Sequence, residues 1–446
     1  MSKDIVFTRR RFLIGAGAAT AALAGGAVLG HWTDVLSKSP TPASSKVAAP
    51  VGTGPLVLVT LYGGNDGLNT VIPYGDPNYL KLRPTLGYQP DQVLPLADGL
   101  GLNSQLKGMH SLWGSGTLAI VRGVGYPNQV LSHFEAMDIW QTANPTDGSG
   151  AGWLGKWLDE NSDDPMRALS VGTTLPPVMR GEKNAATAIT STRLTLPGDA
   201  TLQAAYASMQ LGGQDRVGVA AAVATSGSDL LAAKGQLDKL GASTSASDPS
   251  PSSTPGAGSG TGGASPKPGS GSSPAGSGQR KKATGSTSTL ADQMAIVAAL
   301  IKAGAPTQVY QVSLSSFDTH SAEKPSQERL LGELDVAFSS FFAELQGVKA
   351  AEGVVVMTYS EFGRRPAENA SGGTDHGTAA PLFVAGPKVK GGVFYGEEPS
   401  LTSLDPNGNL VFNVDFRSVY ATVLDKVVGT DPEKVLGGTF PTLAFL

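Results

Sequence analysis

The amino-acid sequence predicts an α/β fold, in which a mostly parallel β-sheet carries helices on both faces. Short apolar and β-branched runs alternate with segments of helical periodicity, which is typical of such a sheet. Two of the helical segments each carry a single apolar stripe. Loops rich in Asp, Glu and His directly follow several strands, at the positions where open α/β sheets bind ligands.

Five segments have the composition of buried strands. Each is a short run of apolar and β-branched residues with few charges, as expected for strands covered on both faces. They are residues 55–62, 118–124, 307–314, 353–359 and 381–385. The clearest helix is residues 327–346, preceded by Pro325, which suits a first helical turn. Residues 416–428 form a second amphipathic helix, and the apolar side chains of both helices are assigned to the core.

Composition excludes several classes of protein. The chain has 446 residues and no cysteine, which rules out disulfide scaffolds, thiolate metal sites and cysteine nucleophiles. A net charge of -4 gives no basic surface for nucleic acid, so no nucleic-acid partner is expected. An apolar fraction of 40% is enough for a substantial core.

The chain is predicted to contain an export signal, a tether and one folded domain. Arg9, Arg10 and Arg11 precede an uncharged stretch rich in Ala and Gly, which is typical of a twin-arginine signal. Residues 1–43 are therefore predicted as signal and processing region, 44–53 as a tether, and 54–446 as a single domain. A disordered linker is predicted at 242–289, because 35 of the 37 residues 242–278 are Gly, Ser, Pro, Thr or Ala.

The loops after the predicted strands contain several polar residues that could bind a metal ion. Each loop taken singly also has a structural interpretation: Ser132 with Glu135 forms the pattern of a helix capping box, for example. Several carboxylates and imidazoles at adjacent strand ends nevertheless predict a divalent cation, because a cation would offset their repulsion. Imidazole ligands favour zinc or manganese over magnesium or calcium. The candidate metal ligands are Asp66, Asp318, His320, Glu361, Asp375 and His376.

Six motifs in order resemble an exported bacterial family of unknown function that is grouped with the alkaline-phosphatase and sulfatase-like superfamily. They are the signal, G-G-N-D-G-L-N-T at 63–70, S-H-F-E at 132–135, F-D-T-H at 317–320, S-E-F-G-R at 360–364 and G-G-T-D-H-G-T at 372–378. The resemblance implies an alkaline-phosphatase-like fold. It also implies that Ser132 is a nucleophile at a helix start, that Asp66 and Glu361 bind a second metal, and that Asp318, His320 and His376 bind the first.

This chain departs from the superfamily pattern at two places. Phe362 stands where the phosphatases have a histidine ligand, and Asp318 and His320 are closer in sequence than the usual pair. His133 or Asp375 is a candidate replacement, and a single-metal site is the alternative. Arg364 is a candidate catalytic residue that would hold a phosphate or sulfate oxygen, with a surface arginine as the alternative.

Two functions are consistent with these features. The first is an exported metal-dependent hydrolase of phosphate or sulfate esters, in which Ser132 attacks the substrate. The second is a non-catalytic cell-surface protein of the same fold that binds an anionic small molecule or envelope polymer. Either protein would meet the twin-arginine export machinery and reside in the periplasm, at the cell surface or outside the cell, without a membrane span in the mature chain.

Overall fold

A computed structural model describes residues 54–196, 198–210, 219–245 and 288–446. The predicted signal and tether, residues 1–53, lie outside the described residues. Residues 246–287 of the predicted linker also lie outside the described residues. The first four residues of the predicted linker, 242–245, are the end of one helix, and its last residue, Thr289, is the N-cap of the next helix. Among the residues that the structure describes, no helix is long and apolar enough to cross a membrane.

The described chain contains twelve strands in two sheets. Sheet one, with nine strands, has the spatial order β11-β5-β10-β9-β1-β8-β6-β7, and β12 also pairs with β5; β2, β4 and β3 form a second, small sheet. The strands are β1 Leu56–Leu61, β2 Val71–Ile72, β3 Val93–Pro95, β4 Gly101–Asn103, β5 Leu118–Gly125, β6 Ala168–Val171, β7 Thr187–Ile189, β8 Val309–Leu314, β9 Val355–Tyr359, β10 Ala380–Ala385, β11 Phe394–Tyr395 and β12 Val414–Asp415.

The large sheet is mixed but mostly parallel. β1 lies at its centre and pairs in parallel with β8 and β9, so that Leu56 is opposite both Val309 and Val355. β10 pairs antiparallel with both β5 and β9, and it is the one strand of this described sheet that runs against the others. The predicted α/β fold with a mostly parallel sheet is confirmed, and each of the five predicted strands is present within two residues of its predicted ends.

Helices cover both faces of the large sheet. They are α1 Tyr79–Leu82, α2 Lys107–Gly114, α3 His133–Thr142, α4 Trp153–Asn161, α5 Ala200–Gln210, α6 Val219–Ser245, α7 Leu290–Lys302, α8 Glu323–Glu344, α9 Phe416–Val423 and α10 Pro432–Leu436. Side chains alternate along a strand, so Val57 and Val59 pack on α7 and α8, whereas Leu56 and Leu58 join the core formed with α3, α4 and α9. The two predicted helices are α8, which begins four residues earlier than predicted, and α9, which continues as a π-helical turn over Leu424–Val428.

The strand directions bring several polar loops to one edge of the sheet. Parallel strands β1, β5, β8 and β9 all end at this carboxyl edge, and antiparallel β10 begins there. The segment between β9 and β10 therefore leaves and returns at the same edge, and it carries both the 360–364 and the 372–378 motif. The chain leaving β5 reaches α3 through Ser132, which is the N-cap of that helix.

Candidate metal centre at the carboxyl edge of the sheet

Three side chains from distant parts of the chain converge at this edge. His133, Asp318 and His376 each offer a ligand atom, and these atoms all lie within 4.8 Å of one another. His133 Nε2 lies 3.3 Å from Asp318 Oδ2, and His376 Nε2 lies 3.3 Å from Asp318 Oδ1. Two imidazole nitrogens therefore lie next to one carboxylate. These three donors suit a divalent metal.

The hydrogen bonds behind the two imidazoles fix which nitrogen is free to bind. His133 Nδ1 lies 2.9 Å from Glu361 Oε1, and His376 Nδ1 lies 2.7 Å from the Leu131 carbonyl oxygen. Both partners are acceptors, so with a metal bound each Nδ1 would carry the proton of the neutral ring and each Nε2 would offer its lone pair. His133 Nε2 is buried and has no hydrogen-bond partner among the described residues. A metal ion would satisfy that nitrogen, and the carboxylate behind the ring is the usual outer partner of a metal-bound histidine.

His320 extends the cluster on its exposed side. Its Nε2 lies 3.0 Å from Asp318 Oδ1 and 2.9 Å from His376 Nε2, while its Nδ1 lies 3.5 Å from Asp375 Oδ1. The ring therefore has the same orientation as the other two, with Nδ1 toward an acceptor and Nε2 toward Asp318. His320 is therefore an additional candidate ligand beside the three converging residues.

The local electrostatics favour ionised Asp318 and neutral His376. Burial opposes ionisation of Asp318, but hydrogen bonds from Arg364 and His376 and the charge of Arg364 outweigh it and lower the pKa to about 2. Burial lowers the pKa of His376, against hydrogen bonds with Leu131 and Asp318 that raise it. A carboxylate that stays ionised and a histidine that stays neutral are both ready to act as ligands near neutral pH.

Glu361 and Asp375, which the sequence predicted as ligands, lie behind the imidazoles. Glu361 is almost fully buried; its Oε1 accepts the Gly63 N–H at 2.8 Å as well as facing His133, and its Oε2 accepts from the Ser360 hydroxyl at 3.1 Å. Asp375 faces His320. In the structure Glu361 contacts His133 and Asp375 lies next to His320, and the ligand roles of the two carboxylates stay predictions.

Asp66 is not brought to the cluster. Its carboxylate is fully buried in an ion pair with Arg83, whose Nη1 and Nη2 donate to Oδ2 and Oδ1 at 2.5 and 2.9 Å. Burial acts to raise the pKa of Asp66, but the charge and hydrogen bonds of Arg83 outweigh it and lower the pKa. Nearby, burial and the Asp66 charge raise the pKa of Glu323 to about 9. Both of its oxygens accept hydrogen bonds from Arg83, and the ligand role of Asp66 stays a prediction.

Arg364 is a buried side chain that donates to the backbone of three loops. The side chain is 1% exposed. Its Nε donates to the Gly64 carbonyl at 2.7 Å and its Nη1 to the Thr374 carbonyl at 3.0 Å. Nη2 donates to the carbonyls of Gly63 and Phe317 and, at 2.9 Å, to Asp318 Oδ1. Arg364 therefore connects three loops and contacts Asp318, and its role in holding a substrate oxygen stays a prediction.

Ser132 stands at the N-terminus of α3, directly between two residues of the centre. The preceding residue, Leu131, accepts from His376, and the following residue is His133. Ser132 is exposed, and its hydroxyl makes no capping hydrogen bond to the helix. The capping-box interpretation with Glu135 is therefore wrong in its side-chain part, and the hydroxyl is free to meet a substrate at the positive end of a ten-residue helix.

Phe362 forms an apolar wall of the centre. Its ring is 1% exposed and lies 4.9 Å from the His133 ring and 4.6 Å from the His376 ring, measured between centroids. The superfamily pattern has a metal ligand at this position, but a phenylalanine cannot bind a metal. The Phe362 ring instead restricts the rotation of two imidazoles.

Two residues of this region were missed or undervalued by sequence reasoning. His133 was predicted only as a replacement ligand, although it is one of the three converging residues. Its position immediately after a helix N-cap was the signal that could have raised its rank. Arg83 was not singled out, because a lone arginine in a polar segment carries no local signal of full burial.

Comparisons with known proteins give a family but no activity. The sequence model of DUF1501, described as a protein of unknown function, matches residues 119–440. Curated protein sequences give no match. Among solved structures, the chain is similar to the lipoteichoic acid synthase LtaP from Listeria monocytogenes, with 10% identity and a TM-score of 0.31 over 78% of this chain and 67% of that chain. Likeness of this degree carries no argument about activity.

Proposed function

Since the chain belongs to the DUF1501 family, a family of proteins of unknown function, we propose its activity from its own side chains. We propose an exported, metal-dependent hydrolase of phosphate or sulfate esters with an alkaline-phosphatase-like fold. The observation that carries the proposal is the convergence of His133, Asp318 and His376 beside an uncapped Ser132 at a helix N-terminus.

The donor set supports zinc or manganese as the metal. Imidazole nitrogens with one carboxylate suit these ions, whereas magnesium and calcium prefer oxygen ligands. His133, His320, His376 and Asp318 would hold the ion, with Glu361 and Asp375 orienting two of the rings. When bound, the ion would supply positive charge that stabilises a developing anion.

Ser132 is the proposed nucleophile. The positive end of the α3 dipole favours negative charge on its hydroxyl oxygen, and the free N–H groups of the first turn favour an anionic ester group at the same place. Ser132 Oγ forms a bond to phosphorus or sulfur, the bond to the alcohol oxygen breaks, and the alcohol leaves with a proton. Water then cleaves the serine ester and releases phosphate or sulfate.

A second function is favoured by one observation. Phe362 removes a ligand from the superfamily pattern. A protein that keeps this fold and one metal to bind an anionic ligand, without hydrolysis, would have the same geometry. The two functions differ in whether Ser132 reacts.

Metal analysis and an ester screen test both functions. Purified full-length chain is loaded with Zn²⁺ or Mn²⁺, its bound metal is measured, and its hydrolysis of 4-nitrophenyl phosphate and sulfate is followed. His376→Ala should lose bound metal and activity together, because it removes a ligand. Ser132→Ala should keep the metal but lose at least about a thousandfold in kcat. Ser111→Ala, a serine on α2, is the matched control and should do neither.

The outcomes separate the alternatives. Metal binding with no ester hydrolysis would favour the non-catalytic binding protein. Activity that survives Ser132→Ala would eliminate the covalent step. A wild-type chain that binds neither Zn²⁺ nor Mn²⁺ would eliminate the metal-dependent hydrolase.

A further inference from the structure

A second cavity lies at the same edge of the sheet, beyond the ends of β6, β7 and β8. It has a volume of about 660 Å³, within the range of about 300–1,000 Å³ that is usual for ligand pockets. The wall residues come from the β6 and β7 exits, the β8 exit, the first turn of α7 and the second and third turns of α8. None of the residues named in the proposed hydrolysis lines this cavity.

The accessible lining of this cavity is rich in hydroxyl groups. Its apolar members, such as Leu290 and Leu330, are buried almost completely and form the floor. The hydroxyl side chains on the walls include Thr173, Thr174, Thr190, Ser313, Ser315 and Ser316. Within the described part of the chain, none of these six hydroxyls has a hydrogen-bond partner, so they are available to a ligand.

The charges of the cavity cancel. Arg329 and Glu333, one turn apart on α8, line one side, and Arg329 Nη1 lies 4.0 Å from Glu333 Oε2. A lining with one positive and one negative side chain has no preference for an anion. Unpaired hydroxyls on a nearly neutral surface suit a neutral ligand that has several hydroxyl groups of its own.

Two walls of the cavity continue directly into the metal centre. Tyr62 lines the cavity, and the next residue, Gly63, donates its N–H to Glu361. Ser316 lines the cavity two residues before Asp318, so their Cα atoms are at most about 7.6 Å apart at about 3.8 Å per residue. Ser316 also has a φ of 86°, a strained conformation for a serine of the kind that tends to persist at functional sites.

We propose that this cavity binds the alcohol part of the substrate, and that this alcohol is a sugar or another polyol. That the polyol is part of a substrate rests on the proposed function. That the cavity binds a polyol rests on the cavity alone. The ester group would lie at Ser132 and the metal centre, and the hydroxyl groups of the alcohol would lie against the threonine and serine walls. The neutral cavity would hold the alcohol part of such an ester, and the centre with its metal cation would hold the anionic part.

Ligand-observed NMR of the full chain tests binding without requiring hydrolysis. The probe is methyl glucoside, and cyclohexanol, a ring of similar size with one hydroxyl group, is the control ligand. Saturation transfer from protein to methyl glucoside is expected, with little transfer to cyclohexanol. The double variant Thr190→Val with Ser315→Ala should weaken glucoside binding at least about tenfold, because it removes two hydrogen-bonding groups. Thr201→Val, an exposed threonine on α5, is the matched control and should bind like wild type.

A kinetic readout links the cavity to the ester. The same double variant should raise KM for glucose 6-phosphate or 6-sulfate about tenfold more than KM for the corresponding 4-nitrophenyl ester. Glucoside binding that the double variant weakens would support the cavity even if no ester is hydrolysed, which would then count against the proposed function only. Absence of glucoside binding, or binding equal in wild type and double variant, would overturn the polyol site even if Ser132-dependent hydrolysis is found.

Discussion

Replacing Arg83 tests whether Asp66 is a structural residue or a metal ligand. Both side chains are 0% exposed, and Arg83 also donates from Nε to the Pro366 carbonyl and from Nη2 to the Arg365 carbonyl, each at 2.9 Å. Arg83→Met would leave the Asp66 carboxylate buried next to Glu323 without a positive charge. It would also release the two residues that follow Arg364.

The expected loss is large for a single substitution. Removing one partner of a buried ion pair costs about 3–5 kcal/mol, against a total stability of about 5–15 kcal/mol for a typical domain. Asp66→Asn should cost less, because it removes a charge that, after burial, raises the pKa of Glu323 to about 9, so that Glu323 can then ionise and pair with Arg83. The double variant should lose at least about 1 kcal/mol less than the sum of the two single losses.

Urea unfolding of the metal-free protein, followed by circular dichroism, measures these differences. Lys302→Met is the control, because it breaks an exposed pair with Glu344, and it should cost at most about 1 kcal/mol. Bound zinc is then measured in the folded fraction of Asp66→Asn, which is the milder variant if Arg83→Met does not fold. An Asp66→Asn protein with wild-type stability but without zinc would refute the structural role and support Asp66 as a ligand.

Three further predictions concern the site, pH and export. Gly63→Ala should weaken zinc affinity about 10–100-fold, measured by competition with a chelator. The reason is that Gly63 has a φ of +117° and a Cβ there would lie 2.4 Å from the Asp318 backbone nitrogen. Wild-type affinity would contradict the described packing. Burial raises the pKa of Glu398 from 4.5 to about 7, against the charge of Arg122, so the folded state holds this proton more tightly than the unfolded state. This contribution of Glu398 to the free energy of unfolding is present below pH 4.5 and is lost as pH rises through about 7. In urea titrations, Glu398→Gln should therefore lose less stability than wild type between pH 5 and pH 8. Replacing Arg9 and Arg10 with Lys should retain the chain in the cytoplasm in a cell-fractionation assay, and unchanged export would remove the twin-arginine assignment.

Local sequence pattern was enough to predict the main strands and the long helix of the core. β1 and β9 are continuous apolar runs because they are buried on both faces, and α8 has an apolar stripe because one of its faces packs on the sheet. Both signals repeat within a few residues, so they can be recognised without knowing which segments are neighbours. The α8 start was predicted four residues late because none of the residues 323–326 is part of the apolar stripe, although Glu323 is fully buried.

Part of the candidate site could be predicted in the same way. Parallel strands end at one edge, so polar residues that follow the strands were expected to meet, and Asp318, His320 and His376 do. The sequence predicted which types of residue gather there and toward which kind of ligand. It did not rank them, because every carboxylate that follows a strand has the same local pattern.

Tertiary structure alone decided which of these residues face the centre and which support it. Glu361 contacts His133 across 228 residues of chain, and Arg83 holds Asp66, and neither contact could be predicted from the local motif. The direction of β10 and the hydroxyl-lined cavity also depend on contacts between segments far apart in sequence. The physical reason is that periodicity records what each segment does with its own neighbours along the chain, whereas an ion pair, a metal centre or a cavity wall exists only once distant segments are packed against each other.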